Sequence, residues 1–299
     1  MSPEFSVGAA IQPLTWLKIS RPGLWFQTLW LYMLPLASPD VDWSAPGPWV
    51  GLLYVSFPLN LLVYGWNDTV DFDIDQQNPR KDSWLFGARA TREALRSAMG
   101  LAIALQLVFA AVFVLLDDWR MLGLMAGIIA VNATYNARVG GLRGRPPFDL
   151  VNPLGYLLVV QIGVWISGAP AVPWQALVYL VLFCLHAQLI GEVMDYWPDR
   201  EAGRVTSSTV IGVRPTKAAI TLLVAAEAAM LWFVFQDPVL GGMLTLGVAW
   251  LLLDLFVIWR DRRYTRKEFT LAGIGMNVAG VVSMAWVLWR GTLLAPVWP

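Results

Sequence analysis

The sequence predicts an all-α, polytopic membrane protein whose nine transmembrane helices pack around a central cavity open to the cytoplasmic side. Three observations carry that prediction. Of 299 residues, 57% are hydrophobic and only 14% charged, with a mean hydropathy of +0.57; a soluble domain carries about 25% charged residues. Nine apolar runs can be cut from the chain, near 22–38, 48–66, 93–116, 119–134, 150–168, 173–194, 217–236, 239–259 and 270–291. The basic residues, finally, collect in alternate connections between those runs.

Each run reaches, or nearly reaches, the length a helix needs to span a hydrocarbon core of about 30 Å. A helix is the expected form because it satisfies its own backbone where lipid cannot. Before the first run lies AIQPLTWLKIS, which reads equally as a surface helix on the cytoplasmic leaflet and as a partly ordered tail. No basic start, short apolar segment and cleavage site precede it, so no cleaved signal peptide is expected. The first run ends in turn formers, SPDVDWSAPGP, and the second runs into NDTVDFDID. The third and fourth follow closely; the fourth is short, and leads to YNARVGGLRGRP. SGAPAVP separates the fifth from the sixth, which ends in GEVMDYWPDREAGR, and QDPVLGG separates the seventh from the eighth. The whole chain, 1–299, reads as one domain.

With the N-terminus on side one, 19 of the 21 Lys and Arg residues fall on that side, and only Arg120 and Arg290 on the other. Cytoplasmic loops accumulate Lys and Arg, so side one, with the N-terminus and the loops near 76–92, 139–149, 200–216 and 260–269, is expected in the cytoplasm. The zero net charge suggests no nucleic-acid partner, and the single Cys184 excludes an intramolecular disulfide.

Chemistry concentrates where two greasy helices end. In NDTVDFDID a helical backbone puts Asn67, Asp71 and Asp75 on one face, with Asp68 beside it. In DYWPDR, Asp195 and Asp199 repeat the spacing 128 positions downstream, one turn after Glu192. Four crossings separate the two clusters, so both emerge on one side of the membrane. Either cluster singly also reads as a solvated helix end. Together, two sets of hard oxygen ligands suit Mg²⁺, which bridges carboxylates to phosphate oxygens; His186 and Cys184 stand alone and make no nitrogen or sulfur site. Lys81, Arg138, Arg143 and Arg200 are candidates to grip a diphosphate through charge-assisted hydrogen bonds, against the plainer reading of each as a topology signal.

These motifs resemble the UbiA superfamily of intramembrane prenyltransferases: NDTVDFDID its NDxxDxxxD signature, DYWPDREAG its second DxxxD motif, and YNARVGGLRGRP its Tyr-Ser-x-Pro-Pro-x-Arg-Leu-Lys-Gly-Arg-Pro segment. The resemblance covers nearly the whole chain. It departs at Arg143, where Lys is frequent, at Gly141, where Arg is frequent, and at Pro198, which is expected to end the sixth helix. It implies that an allylic isoprenoid diphosphate binds through Mg²⁺ (or Mn²⁺) held by Asn67, Asp68, Asp71, Asp75, Asp195 and Asp199. It implies further that the diphosphate departs and the prenyl cation alkylates a lipophilic acceptor from the membrane lipid. On that resemblance Asp71, Asp195 and Tyr135 are the expected catalytic residues. Tyr64, Trp66, Phe72, Tyr196 and Trp197 join Tyr135 as candidate cation–π faces, against an interfacial aromatic belt.

QNPRKD after the first motif resembles the carotenoid-elongating branch, which points to a carotenoid such as lycopene as acceptor. An aromatic acceptor of quinone, chlorophyll or tocopherol type and a terpene cyclase of the same superfamily stand as alternatives. A transporter is disfavoured, because such proteins place their sites on broken helices near the bilayer midplane. Gln188 and Glu192 share the face of Asp195, with His186 nearby; they read as interhelical hydrogen-bonding groups before they read as a base.

Overall fold

The computed structural model describes residues 13–137 and 140–297. Among them the secondary structure is helical, apart from one isolated bridge between Ser83 and Gly87. The helices are α1 (Pro13–Ile19), α2 (Trp25–Met33), α3 (Pro46–Val70), α4 (Phe72–Asp75), α5 (Arg92–Leu116), α6 (Arg120–Asn136), α7 (Leu157–Ser167), α8 (Trp174–Glu201), α9 (Ser207–Ile211), α10 (Val213–Phe233), α11 (Pro238–Leu253) and α12 (Arg266–Arg290). Among the described residues, seven stretches are long and apolar enough to cross a membrane: 46–70, 92–116, 148–167, 174–201, 213–233, 238–258 and 266–290.

The other two of the nine expected crossings fall short for identifiable reasons. The run 22–38 holds only the nine residues of α2, bracketed by 3₁₀ turns that begin at Pro22 and Pro35, where proline withholds the backbone donor a continuing helix needs. The fourth run forms α6, 17 residues and so about 25 Å long. α1 occupies the second half of the first 20 residues and buries Ile19 between α3 and α5; the residues before Pro13 lie outside the described ones.

α3 is central to one half of the molecule and packs against α2, α5, α6 and α7. Pro58 sits within it, and the Asn60 amide donates to the Val55 carbonyl at 2.9 Å, next to the turn that proline disturbs, and to Thr28 Oγ1 of α2 at 2.9 Å. Tyr54, Phe109 and Phe113 interlock α3 with α5. α10 organises the other half, against α8 and α11. α12 closes the ring on α2, with Asn277 donating to the Gly23 carbonyl at 2.7 Å and Trp30 to Ser283 at 3.1 Å.

One expectation fails: α8 does not end at Pro198 but runs to Glu201. A proline near a helix end removes a single hydrogen bond, and the chain can continue. The stop is Gly203, whose φ of +70° lies in the left-handed region that favours glycine. Past it, the Arg204 amide donates back to the Asp199 carbonyl at 2.8 Å.

Candidate active site

A cavity of about 510 Å³ opens between the two halves, lined from α2, α3, α6, α8, α10, α11 and α12. One end is polar and includes Asn67, Arg80, Arg143, Asp195, Asp199 and Arg204. The remainder is walled by Trp30, Tyr156, Tyr179, Phe183, Leu240 and Leu244. This is the amphipathic shape a molecule with a charged head and a hydrocarbon tail requires.

The first motif is helical, but its side chains divide differently from the single face expected. Asn67 lines the cavity. Asp68 is buried and its Oδ1 accepts from both Arg21 and Lys81, the latter at 2.7 Å, while Oδ2 has no partner. Asp75 turns to the same lysine, with Oδ2 2.8 Å from Nζ. Lys81, expected to grip a diphosphate, is therefore buried between two carboxylates and does not line the cavity. Burial raises the Asp75 pKa, with Asp68 adding to the effect and Lys81 opposing it. Asp71, between the two, accepts from Arg143 and Arg204. Asp73, exposed, meets only Arg92.

The second motif meets the first through shared cations. Arg204 donates to Asp71 and, at 3.2 Å, to Asp199. Asp195 accepts from Asn78 at 3.0 Å and from Arg80, both in the loop after the first motif. Each buried carboxylate thus has a cation or a donor, as burial demands. Burial, reinforced by Arg204, disfavours the charge of the Arg143 guanidinium, which Asp199 and Asp195 help to hold.

Of the remaining expected residues, Tyr135 and Tyr64 line the cavity, and the Arg143 guanidinium stands 5.7 Å from the Tyr135 ring centre. Trp66, Phe72, Tyr196 and Trp197 are not among the lining residues. Arg200 is exposed and donates to the Tyr196 hydroxyl at 3.1 Å. Arg138 lies outside the described residues. Glu192 accepts from Ser208 N at 2.9 Å and from Gln188 at 3.2 Å, an interhelical role.

Arg21, Asn78, Arg80 and Arg204 join the site without having been expected there; in the sequence the three arginines count only as topology signals. Glu227 of α10 is a further addition, buried and paired with Nδ1 of His186. Glu227 carries a signal, as the one carboxylate inside its apolar run. The arginines carry none beyond proximity to the motifs.

Among the described residues, no three His, Cys, Asp or Glu side chains already form a metal shell. The donor set nonetheless fits a hard divalent cation in kind. It is all oxygen, and it comes from two helix ends joined through Arg204.

Comparison with known proteins gives a consistent picture. Residues 24–281 match the profile of the UbiA prenyltransferase family. A lycopene elongase/hydratase of Corynebacterium glutamicum is 30% identical over 201 residues, covering 65% of this chain and 68% of that protein. One of Haloarcula japonica is 30% identical over 204 residues, covering 66% of each. A UbiA homologue from Archaeoglobus fulgidus, solved with DMAPP and Mg²⁺, superposes with a TM-score of 0.65 at 18% identity, over 91% of this chain and 99% of that one.

Proposed function

The chain belongs to the UbiA prenyltransferase family and is an integral membrane prenyltransferase, and from that premise we propose that it transfers the prenyl group of a short allylic diphosphate to a carotenoid of the lycopene type. The observation that carries the reading is Arg204, whose guanidinium joins Asp71 to Asp199 and so gathers both acidic motifs at the polar end of a mainly apolar cavity. The lycopene elongase/hydratases among its relatives support the acceptor, and the DMAPP bound to the A. fulgidus homologue supports the donor.

Asn67, Asp71, Asp195 and Asp199 would hold the divalent cation, Mg²⁺ or Mn²⁺, with Asp68 and Asp75 behind them. Bound there, it would neutralise the diphosphate and act as a Lewis acid on the leaving oxygen. Arg80, Arg143 and Arg204 line the same end and are placed to donate to phosphate oxygens as charge builds on them. Tyr64 and Tyr135 present aromatic faces to the allylic cation, and the apolar walls keep water from it. A diphosphate cannot cross lipid, so the polar end opens to the compartment where the donor is made. The split of basic residues supports the same reading, with the mouth and N-terminus in the cytoplasm and the chain as one domain of nine crossings, the two short ones supplied by α2 with its flanking 3₁₀ turns and by α6.

The test uses purified protein in lipid, dimethylallyl diphosphate, Mg²⁺ and lycopene. Diphosphate release should depend on lycopene, yield a carotenoid enlarged by one prenyl unit, stop in excess chelator and resume with Mn²⁺. A cyclic product without acceptor, or release that needs a phenolic acceptor instead, would refute the carotenoid reading.

A further inference from the structure

Asp71 receives two guanidiniums, and they arrive on separate loops: Arg143 from the segment after α6, Arg204 from the turn after α8. A group carried on a loop loses its aim when the loop shifts, and a misplacement of about 1 Å can cost about 100-fold in rate. Something has to hold the two loops in register. They meet first beside the arginines themselves. A Cβ on Gly144, whose φ is +74°, would stand 3.3 Å from the Val205 carbonyl oxygen.

Just beyond both arginines the contact becomes a hydrogen-bonded clasp. Asp149 lies in the 3₁₀ turn Phe148–Leu150, and its carboxylate accepts from Ser207 N at 2.6 Å and from Ser207 Oγ at 2.7 Å. The next residue, Ser208, donates its N–H to Glu192 of α8 at 2.9 Å. Thr206 N donates to Thr209 Oγ1 at 2.7 Å and completes the start of α9. The first turn of α9 is thus fastened to the loop that carries Arg143 and to the helix that carries the second motif.

The chemistry of the clasp differs from that of the acidic site beside it. Asp149 is 1% exposed and Glu192 is buried. Among the described residues, Asp149 bonds to Ser207, and Glu192 to Ser208 and Gln188; none of these is a cation. A buried carboxylate without a cation is costly. It is tolerated where backbone N–H groups and hydroxyls face it as charge-assisted donors. Both carboxylates line the cavity, yet their hydrogen bonds run to α8 and to the α9 turn rather than to Arg143 or Arg204.

We propose that Asp149 is a positioning residue for diphosphate binding: by clasping Ser207 it holds the Arg143 and Arg204 loops together, so that both guanidiniums reach the same diphosphate. Glu192 fixes the clasp to α8. This deepens the prenyl-transfer reading and rests on it for the nature of the ligand.

The experiment is a double-mutant cycle between Asp149→Ala and Arg204→Ala, read in the dissociation constant for inorganic diphosphate with Mg²⁺, which needs no acceptor. Alone, Asp149→Ala should weaken binding by about tenfold, and in the Arg204→Ala background by about twofold or less, because the guanidinium it aims is gone. Asp149→Asn, which can still accept from Ser207 N and donate to the hydroxyl, should stay within about threefold of wild type. Where Asp149→Ala does not fold, Ser207→Ala runs through the same cycle, with about threefold expected alone and no further loss beside Arg204→Ala. The same loss in both backgrounds overturns the proposal, because the residue then acts on the ligand or on the fold independently of Arg204. So does an Asp149→Ala variant that binds like wild type. An Asp149→Asn variant as weak as Asp149→Ala overturns it too, since the charge would then meet the metal. A wild type that binds diphosphate but ignores lycopene refutes the carotenoid reading and leaves the clasp standing. One that binds no diphosphate refutes the prenyl-transfer reading, and the clasp falls with it.

Discussion

The ends of α3 and α8 carry motifs of the same spacing, but they are built differently. The α3 end stands on a foundation: behind Asn67 and Asp71, Asp68 and Asp75 share Lys81, and Arg21 completes the layer, all buried. The α8 end has no such layer. Asp195 is 28% exposed at its side chain, and its partners Asn78 and Arg80 come from the loop that follows the α3 motif. The second motif is assembled upon the first. A carboxylate that meets the reacting cluster and one that holds the protein together can therefore sit four residues apart in a single stretch.

Substitution at Asp71 should separate the motifs most strongly. Asp71→Ala removes a proposed cation ligand and the acceptor shared by Arg143 and Arg204. Turnover of dimethylallyl diphosphate should fall by about 10³-fold or more. Asp195→Ala, at a carboxylate whose side chain is 28% exposed where that of Asp71 is 7% exposed, should cost about 10²-fold. Equal losses at the two sites would break the asymmetry.

The foundation predicts a different phenotype. Lys81→Met leaves Asp68 and Asp75 buried with one cation fewer, an uncompensated buried charge worth about 3–5 kcal/mol. The effect should appear as a lowered midpoint of thermal unfolding. Pairing it with Asp75→Asn should recover part of the loss, because the surplus charge goes with the lysine. If Lys81→Met unfolds like wild type but raises the KM for the diphosphate sharply, Lys81 grips substrate as its sequence position suggests, and the layered description fails.

The asymmetry also explains what is legible in the sequence. The helical class, both acidic motifs and the placement of most apolar runs can be read there, because hydrophobic length and carboxylate spacing are local properties of the chain. The shortness of α2 is written in Pro22 and Pro35, although the length of the apolar run around them hides it. Which cations meet which carboxylates is not legible: that is decided by how loops turn back, and every arginine in a loop on the basic side serves topology equally well. The division of the first motif into a cavity side and a foundation depends on Lys81 reaching under α3, which no spacing rule contains.

Arg200 and Arg204 show that limit at its narrowest, and they give the smallest effect expected. Both follow the second motif, and Arg200 is the one the resemblance favours. α8 carries Arg200 outward to the Tyr196 hydroxyl. Gly203, at φ +70°, reverses the chain and brings Arg204 back onto Asp71 and Asp199. A surface hydrogen bond of this kind is worth about 1 kcal/mol, and a guanidinium that faces solvent contributes little to a charge buried elsewhere. Arg200→Ala should therefore change kcat/KM for the diphosphate by about twofold or less, whereas Arg204→Ala should cost about 30-fold, a loss of about 2 kcal/mol typical of a hydrogen bond to a charged group. Steady-state kinetics on the two variants, side by side, decide between position in the motif and position in space. Should Arg200→Ala cost as much as Arg204→Ala, the loop after α8 closes differently over bound diphosphate, and the second motif draws its cations from its own helix after all.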